Sequence, residues 1–288
     1  MSEESEKYST IPLKWKDTYN IKEVAELREK IKNAFSDIVF EPETHKYFLD
    51  GKELECVSHI VSRYEPFFDS QLIAEQCATK YGMTKEYYLK KWKKLKDDAC
   101  FFGTTRHTFG ENVFYWATGQ SEKCDTEFLD DFEDGVPTAR VTSEKTIMQF
   151  WMDIPKDYIP LLAETKVYDK PLRYAGTFDL LFYYMAEKPE DRGVLIFDYK
   201  TNGNLYRNFK KQRLKKPFDN MLDMAVNRYA IQLSLYQIPL ERLGVKVIGR
   251  RLIWIRKEGI YQKIKVSNLT PRLRRVLVRR KKNVIVEE

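Results

Sequence analysis

The chain has 288 residues, with 50 lysines and arginines against 43 aspartates and glutamates, which gives a formal net charge of +7. Hydrophobic residues make up 43% and aromatic residues 14%, a composition that argues against a chain disordered throughout and suffices for one large or two small packed domains. Nothing approaches the ~20 consecutive apolar residues of a membrane span, and the acidic first residues differ from a secretory signal. We therefore expect a cytoplasmic protein that does not bind a membrane.

The first hundred residues predict short helices and a β-hairpin. Residues 1–10 are typical of a disordered tail, and apolar spacing predicts a helix over 21–35. Two short β-favouring runs follow, at 38–40 and 47–49, and Asp50-Gly51 is a strong two-residue turn. Helices are expected at 57–64 and 70–81, and from Thr84, as the helix cap, to a break at Gly103. Residues 11–99 are therefore interpreted as an N-terminal extension of helices and a hairpin.

The remainder of the chain, 100–288, predicts a mixed α/β domain. Helices are expected at 104–118, 143–153, 222–243 and 271–282, with an acidic loop at 121–135. Strands are expected at 161–168, 175–184, 194–201, 250–256 and 261–266, where β-branched and aromatic residues are frequent. This order of elements favours a sheet flanked by helices.

Two acidic residues in the predicted strands point to a metal site. Asp198 and Lys200 lie two apart at the end of an apolar strand and therefore share a face. Asp179 interrupts the apolar strand before it, where an unpaired carboxylate is costly. If these strands are antiparallel neighbours, Asp179 and Asp198 meet and can bind Mg²⁺ or Mn²⁺. The alternative for Asp198 and Lys200 is a surface ion pair.

Two helices offer further candidates. His107 and Glu111 lie four apart on one helical face, as do Gln232 and Tyr236. Each also has an ordinary interpretation. His107 is equally explained by a hydrogen-bonded neighbour, Glu111 by a surface acid, and the Gln232–Tyr236 pair by polar positions on a half-buried helix. Near a nucleic acid, glutamine can bond to phosphate or sugar, and tyrosine can stack.

Basic residues are concentrated in two blocks that contain no acid. The first runs from 200 to 218 and the second from 272 to 282, with seven basic residues in each. Such blocks favour a polyanionic partner, although each is also compatible with a solvated face. We call residues 202–216 the basic loop. Its candidate DNA-binding residues are Arg207, Lys210, Lys211, Arg213, Lys215 and Lys216.

Taken in order, four motifs carry a resemblance: Gly103-x-x-x-His107, Gly176-x-x-Asp179, Asp198-x-Lys200 and Gln232-x-x-x-Tyr236. The set resembles the RecB-like branch of the PD-(D/E)XK nuclease superfamily, which includes exonucleases of phage recombination systems. The resemblance covers about residues 100–257. It implies a restriction-endonuclease-like α/β core, a central mixed sheet flanked by helices, with a helical N-terminal extension. The proline of the superfamily name is absent, since Gly176 stands in its motif.

The resemblance also implies roles for individual residues. His107, Asp179 and Asp198 would bind Mg²⁺ or Mn²⁺, Lys200 would be the catalytic lysine, and Gln232 with Tyr236 would support the site and the DNA backbone. Glu164 and Glu111 are second-rank metal candidates, and Glu164 is equally compatible with a structural ion pair.

The positions of the cysteines and the absence of a nucleotide-binding motif limit the cofactors that we expect. Some relatives bind an iron–sulfur cluster through one cysteine before the core and three after it. Here Cys56, Cys77, Cys100 and Cys124 all precede residue 125 and lack C-x-x-C spacing, so we expect neither a cluster nor a disulfide framework. No nucleotide is expected, because the chain lacks a phosphate-binding G-x-x-x-x-G-K-[ST] motif.

The sequence therefore predicts a metal-dependent DNA exonuclease of phage or bacterial recombination, repair or replication. An endonuclease on the same core, or a catalytically inactive DNA-binding subunit, remains an alternative. The resemblance is compatible with a homo-oligomer, with a recombination partner protein and, for a phage-encoded chain, with the host cytoplasm.

Overall fold

The computed structural model describes residues 14–124, 132, 133, 136, 137, 139 and 141–287. For 132, 133, 136, 137 and 279–287 it describes the backbone alone. The predicted tail at 1–10 and much of the predicted acidic loop at 121–135 lie outside the described residues. The described start of that loop contains a short 3₁₀ turn, Ser121–Lys123.

The helices and strands follow the predicted order closely. The helices are α1 (Lys22–Ala34), α2 (Val57–Ser62), α3 (Ser70–Tyr81), α4 (Lys85–Ala117), α5 (Thr142–Asp153), α6 (Ala225–Arg242) and α7 (Thr270–Glu287). The strands are β1 (Val39–Glu41), β2 (Lys46–Leu49), β3 (Lys52–Cys56), β4 (Phe132–Glu133), β5 (Val136–Pro137), β6 (Tyr158–Asp169), β7 (Tyr174–Tyr184), β8 (Gly193–Lys200), β9 (Val247–Ile255) and β10 (Tyr261–Lys265).

Eight of the strands form one mixed sheet. Its order is β1-β2-β3-β7-β8-β9-β10, and β6 pairs with β7. The pairs β6–β7, β7–β8 and β9–β10 are antiparallel, whereas β8–β9 and β3–β7 are parallel. Helices flank this sheet, so the predicted α/β class is confirmed. No helix within the described ranges has the length and apolar character needed to cross a membrane.

The N-terminal hairpin contains a strand that the sequence did not suggest. Asp50 and Gly51 both have positive φ, 51° and 71°, as a tight two-residue hairpin turn requires, and they join β2 to β3. The composition of β3, Lys-Glu-Leu-Glu-Cys, is mostly charged and therefore hid it. Its last residues, Glu55 and Cys56, pair with the start of β7, so the hairpin belongs to the central sheet.

Helix α4 corrects one prediction. The helix break expected at Gly103 is wrong, because α4 runs without interruption for 33 residues from Lys85. A helical glycine costs only ~1 kcal/mol relative to alanine, which favourable neighbours offset. The Thr84 cap is confirmed, since its hydroxyl accepts a hydrogen bond from the Tyr87 backbone N–H. The domain boundary expected between residues 99 and 100 lies inside this helix.

The central strands are positioned by packing on both faces of the sheet. Tyr199 is buried, accepts a hydrogen bond from Trp151 Nε1 of α5 at 2.8 Å, and lies against Gly110 of α4. Because side chains alternate along a strand, Asp198 and Lys200 project to the opposite face. Tyr229 of α6 covers Lys200 there. The two acids of the central strands are thereby enclosed by protein rather than exposed to water.

Candidate active site

The site is built where β7 and β8 separate. Their ladder ends at the pair Leu180–Phe197, and the first residues of β7 pair with β3 instead. One step beyond the ladder, the register places Asp179 opposite Asp198, and both are buried. The Tyr199 backbone N–H donates a hydrogen bond of 2.6 Å to Asp179 Oδ2. The expectation that the two strands are antiparallel neighbours is therefore confirmed.

The other neighbour of Asp179 is Glu164 on β6. Ala163 pairs with Leu180 and Thr165 with Phe178, so Glu164 lies directly across from Asp179. Two like charges in this position destabilise a sheet. Glu164 also has a positive φ of 39°, a backbone conformation that is strained for a residue with a side chain. Both costs are explained if the two carboxylates share a cation.

His107 completes this cluster from α4. Its Nδ1 lies 3.3 Å from Asp179 Oδ2 and 3.7 Å from Glu164 Oε1. One ligand atom from each of the three residues lies within 4.8 Å of the others, which is close enough for all three to bind one metal ion. A nitrogen and carboxylate oxygens are donors that suit Mn²⁺, and the oxygens also suit Mg²⁺.

Asp198 is adjacent to this cluster but is not part of it. Its side chain is 0% exposed and forms an ion pair with Lys200. No described residue donates a hydrogen bond to its Oδ1. A buried carboxylate oxygen without a partner is costly, and a bound cation would satisfy it. Of the predicted acid pair, the structure thus brings Asp179 into the compact His107 cluster and leaves Asp198 beside it, facing the lysine.

The charges of the site depend on one another. Burial alone would lower the pKa of His107, but the charge of Asp179 and hydrogen bonds to Asp179 and Glu164 outweigh burial and raise it to about 10. Burial likewise opposes ionisation of Asp179, yet the nearby His107 and Lys200 charges hold its pKa below the usual value. Burial, together with the Asp179 charge, raises the pKa of Asp198 to about 6 despite Lys200. Burial is also the main cause that raises the pKa of Glu164 to about 7.

Lys200 is held in its charged form within the site. Its side chain is 12% exposed, and burial alone would lower its pKa, but the charges of Asp198 and Asp179 outweigh burial and raise it. Its Nζ lies 4.5 Å from the centre of the Tyr229 ring, and the Tyr229 hydroxyl donates to Asn202 Oδ1 at 2.7 Å. Sequence reasoning missed Tyr229. Its spacing of three and seven residues before Gln232 and Tyr236 could have placed it on the same helical face.

The predicted pair on α6 is formed. Gln232 Nε2 donates a hydrogen bond to the Tyr236 hydroxyl at 3.0 Å. Burial, and next the charge of Asp198, raise the pKa of Tyr236, so its hydroxyl stays protonated beside the acids. A Cβ atom at Gly176 would lie 2.7 Å from Tyr236 Cε1, which shows how closely the tyrosine ring packs on β7.

Glu111 lies farther along α4 from the cluster. The Tyr115 hydroxyl donates to its Oε1 at 3.1 Å. It is not one of the three residues whose ligand atoms converge. Its charge nevertheless contributes to the raised pKa of Glu164.

The basic loop starts directly after β8 and therefore borders the site. Its six predicted DNA-binding residues, Arg207, Lys210, Lys211, Arg213, Lys215 and Lys216, are all exposed. Within the described part of the chain none of the six forms an ion pair, so their charges are directed to solvent. In the second basic block, by contrast, Arg274 pairs with Glu241 and Arg272 donates to Asn220 Oδ1. The side chains of Arg279, Arg280, Lys281 and Lys282 lie outside the described residues.

The arrangement can perform two chemical tasks at once. The acids and His107 can hold a divalent cation, and Lys200 can place a fixed positive charge beside it. The four cysteines are all free thiols, with Cys56 buried and Cys100 exposed.

Comparisons with protein-family models and with curated proteins find no match for this sequence. Any function proposed for the chain therefore depends on the geometry of the site and on the sequence motifs.

Proposed function

We propose that this chain is a metal-dependent deoxyribonuclease that hydrolyses DNA phosphodiester bonds, acting as an exonuclease. The observation that carries the proposal is the position of Asp179, which has Glu164 and His107 on one side and the Asp198–Lys200 pair on the other. The strand order around it supports a PD-(D/E)XK core as the finer description of the fold. Action on DNA ends, and a role in phage or bacterial recombination, repair or replication, come from the motif resemblance.

The proposed cofactor is Mg²⁺ or Mn²⁺. His107, Glu164 and Asp179 would bind it, and the unpartnered Oδ1 of Asp198 makes that residue the fourth candidate ligand. When bound, such an ion polarises the scissile phosphate and lowers the pKa of a coordinated water. The donor set fits this cation class, since oxygen ligands dominate it.

The other residues would act on the substrate directly. Lys200, kept charged by Asp198, would stabilise the negative charge that develops on the phosphate in the transition state. Tyr236, oriented by Gln232, offers a neutral O–H donor beside the acids for a phosphate oxygen or the attacking water. The exposed cations of the basic loop would bind the DNA backbone on either side of the reacting phosphate.

The test compares the wild-type chain with Asp198→Asn, which keeps the shape of the side chain and removes its charge. End-labelled linear DNA and covalently closed circular DNA are incubated with Mg²⁺, with Mn²⁺ or with EDTA. We expect wild type to degrade linear DNA with either metal and not with EDTA. We expect Asp198→Asn to lose at least 100-fold in rate, since electrostatic groups of this kind each contribute on the order of 10²–10³-fold.

The matched control is Asp157→Asn, the same chemical change at an exposed aspartate just before β6. It should retain wild-type activity. Nicking of the circular DNA would show that the chain is an endonuclease on the same core rather than an exonuclease. DNA binding without cleavage under either metal would contradict the nuclease proposal and leave a DNA-binding subunit.

A further inference from the structure

The basic loop is a preformed structure rather than a loose connection. Leu205, Leu214 and Phe218 are buried beneath it. Its backbone is tied to the body by hydrogen bonds from Lys215 N to Tyr64 O at 2.7 Å and from Val226 N to Leu205 O at 3.1 Å. The fold therefore fixes the backbone positions from which the side chains of the loop project.

Two aromatic rings project from this loop into solvent. Tyr206 is 48% exposed and Phe209 is 59% exposed. The turn that carries Phe209 is closed by Asn208, whose side chain donates to the backbone carbonyls of Gln212 at 2.9 Å and Asp223 at 2.8 Å. The turn thus holds the Phe209 ring in solvent, where a ligand that covered it would gain the free energy of burying apolar surface.

The two rings alternate with cations. Arg207 lies between them in sequence, and Lys210 and Lys211 follow Phe209, with Lys210 Nζ 5.3 Å from the Phe209 ring centre. These three cations are exposed and, among the residues that the structure describes, form no ion pair. Cations interleaved with exposed aromatic rings are typical of surfaces that bind single-stranded nucleic acid, in which the cations follow the backbone and the rings stack on bases.

The first ring packs beside the residue that pairs with the proposed catalytic lysine in the sheet. Lys200 of β8 pairs directly with Trp254 of β9. The Trp254 indole N–H donates to Asn202 O at 2.6 Å, and its ring centre lies 6.2 Å from that of Tyr206. A strand bound along the loop would therefore reach the active site with its bases next to Tyr206.

Stacking on these rings requires bases that are not already stacked. In an intact duplex both faces of an internal base are covered by its neighbours, and only base edges are accessible in the grooves. The Phe209 ring has no donor or acceptor with which to read an edge or bind a phosphate. The ligand that matches the ring is the open face of an unpaired base.

We propose that Tyr206 and Phe209 stack on successive bases of single-stranded DNA while Arg207, Lys210 and Lys211 bind its phosphates, so that the substrate class is single-stranded DNA rather than intact duplex. The proposal rests on the proposed nuclease function for the choice of DNA as the polymer. Its test, however, measures binding in the absence of metal and cleavage, so that the two proposals can fail separately.

The experiment uses the full chain carrying Asp198→Asn, in EDTA. The probes are a single-stranded thymidine oligonucleotide that contains one 2-aminopurine and a blunt duplex of equal length. Stacking on an aromatic ring is read from the fluorescence of 2-aminopurine, and affinity from titration. We expect Tyr206→Leu and Phe209→Leu each to weaken single-strand binding about tenfold, to abolish the fluorescence change of the stacked base, and to leave duplex binding within twofold.

Two kinds of variant make this result specific to stacking. Tyr206→Phe and Phe209→Tyr keep a ring and should retain single-strand affinity and the fluorescence change. Tyr81→Leu is the matched control, because Tyr81 is 62% exposed and has Lys80 Nζ 5.2 Å from its ring centre, yet it lies at the end of α3 and outside the loop. It should have no effect. Equal losses for single strand and duplex, or unchanged binding in both leucine variants, would overturn the proposal.

Discussion

Two glycines of the motif set have very different surroundings. A Cβ atom at Gly176 would lie 2.7 Å from Tyr236 Cε1 and 3.0 Å from Val57 Cγ2. At Gly103, no described atom beyond the glycine's immediate neighbours and its own helix backbone lies within 4 Å of that position. The first glycine permits a close contact at the site, whereas the second occupies open space on α4.

We therefore predict opposite effects of the same substitution. Gly176→Ala should lower the free energy of unfolding by about 1–3 kcal/mol, because the added methyl group overpacks the contact between Tyr236 and β7. Gly103→Ala should raise it by up to about 1 kcal/mol, because alanine is the better helix former. Urea unfolding of both variants checks this. Equal effects of the two changes would mean that Gly176 is not closely packed.

At the scale of single residues, the sequence predicted the central acids but not the place of Glu164. Asp179 and Asp198 follow from two apolar strands that each contain a carboxylate. The position of Glu164 depends on a register shift between Pro160 and Leu162 in β6. Without that shift Glu164 would face Phe178 rather than Asp179, since a slip of one residue moves every side chain to the other face. Bulges of this kind leave no reliable pattern in a single sequence.

At the scale of elements, α4 and α5 are joined beside the site by a buried ion pair. Arg106, which precedes His107, pairs with Glu144 of α5, and both side chains are largely buried. Glu144 also accepts a hydrogen bond from the Val141 backbone N–H at 3.1 Å, which caps α5. The pair therefore fixes the turn of α4 from which His107 reaches Asp179.

This ion pair yields a second stability prediction. Arg106→Met should cost about 3–5 kcal/mol of unfolding free energy, because it removes the Arg106 cation from the buried Glu144 carboxylate. Arg106→Met combined with Glu144→Gln should cost less than the single change, since the glutamine is neutral and its side-chain oxygen can still cap α5. A double-mutant cycle measured by urea unfolding tests the coupling. A double variant no more stable than Arg106→Met would show that the charge of Glu144 is not the cause.

The elements themselves were predictable where local signals agree. The Thr84 cap, the Asp50-Gly51 turn and the apolar runs of β7 and β8 are each explained by a few adjacent residues. The break expected at Gly103 does not form, because the other residues of α4 offset the small cost of one helical glycine. The existence of β3 was not predictable, because tertiary contacts decide it. β3 is charged along most of its length and becomes a strand through its pairing with β2 and with the first residues of β7.

At the scale of the whole molecule, the position of the described cations that form no ion pair matters more for DNA binding than the net charge of +7. The exposed cations of the basic loop border the site, whereas Arg272 and Arg274 of the second block are engaged in contacts with the body of the protein. The loop should therefore contribute most to the salt dependence of DNA binding, because that dependence counts the phosphates that the protein neutralises.

A salt titration measures this contribution of the loop. Changing Lys210, Lys211, Lys215 and Lys216 together to glutamine should weaken single-stranded DNA binding. It should also flatten the slope of log K against log salt by up to about 3, because each phosphate that the loop neutralises adds ~0.7 to that slope. The control replaces four exposed lysines of the α3–α4 hairpin, Lys80, Lys90, Lys91 and Lys93, and so changes the net charge equally. If both quadruple variants flatten the slope alike, total charge rather than the loop attracts the DNA. If the loop variant keeps the wild-type slope, the basic loop is a solvated surface that does not bind phosphates. If only the loop variant flattens the slope, the loop is the path by which the strand enters the site.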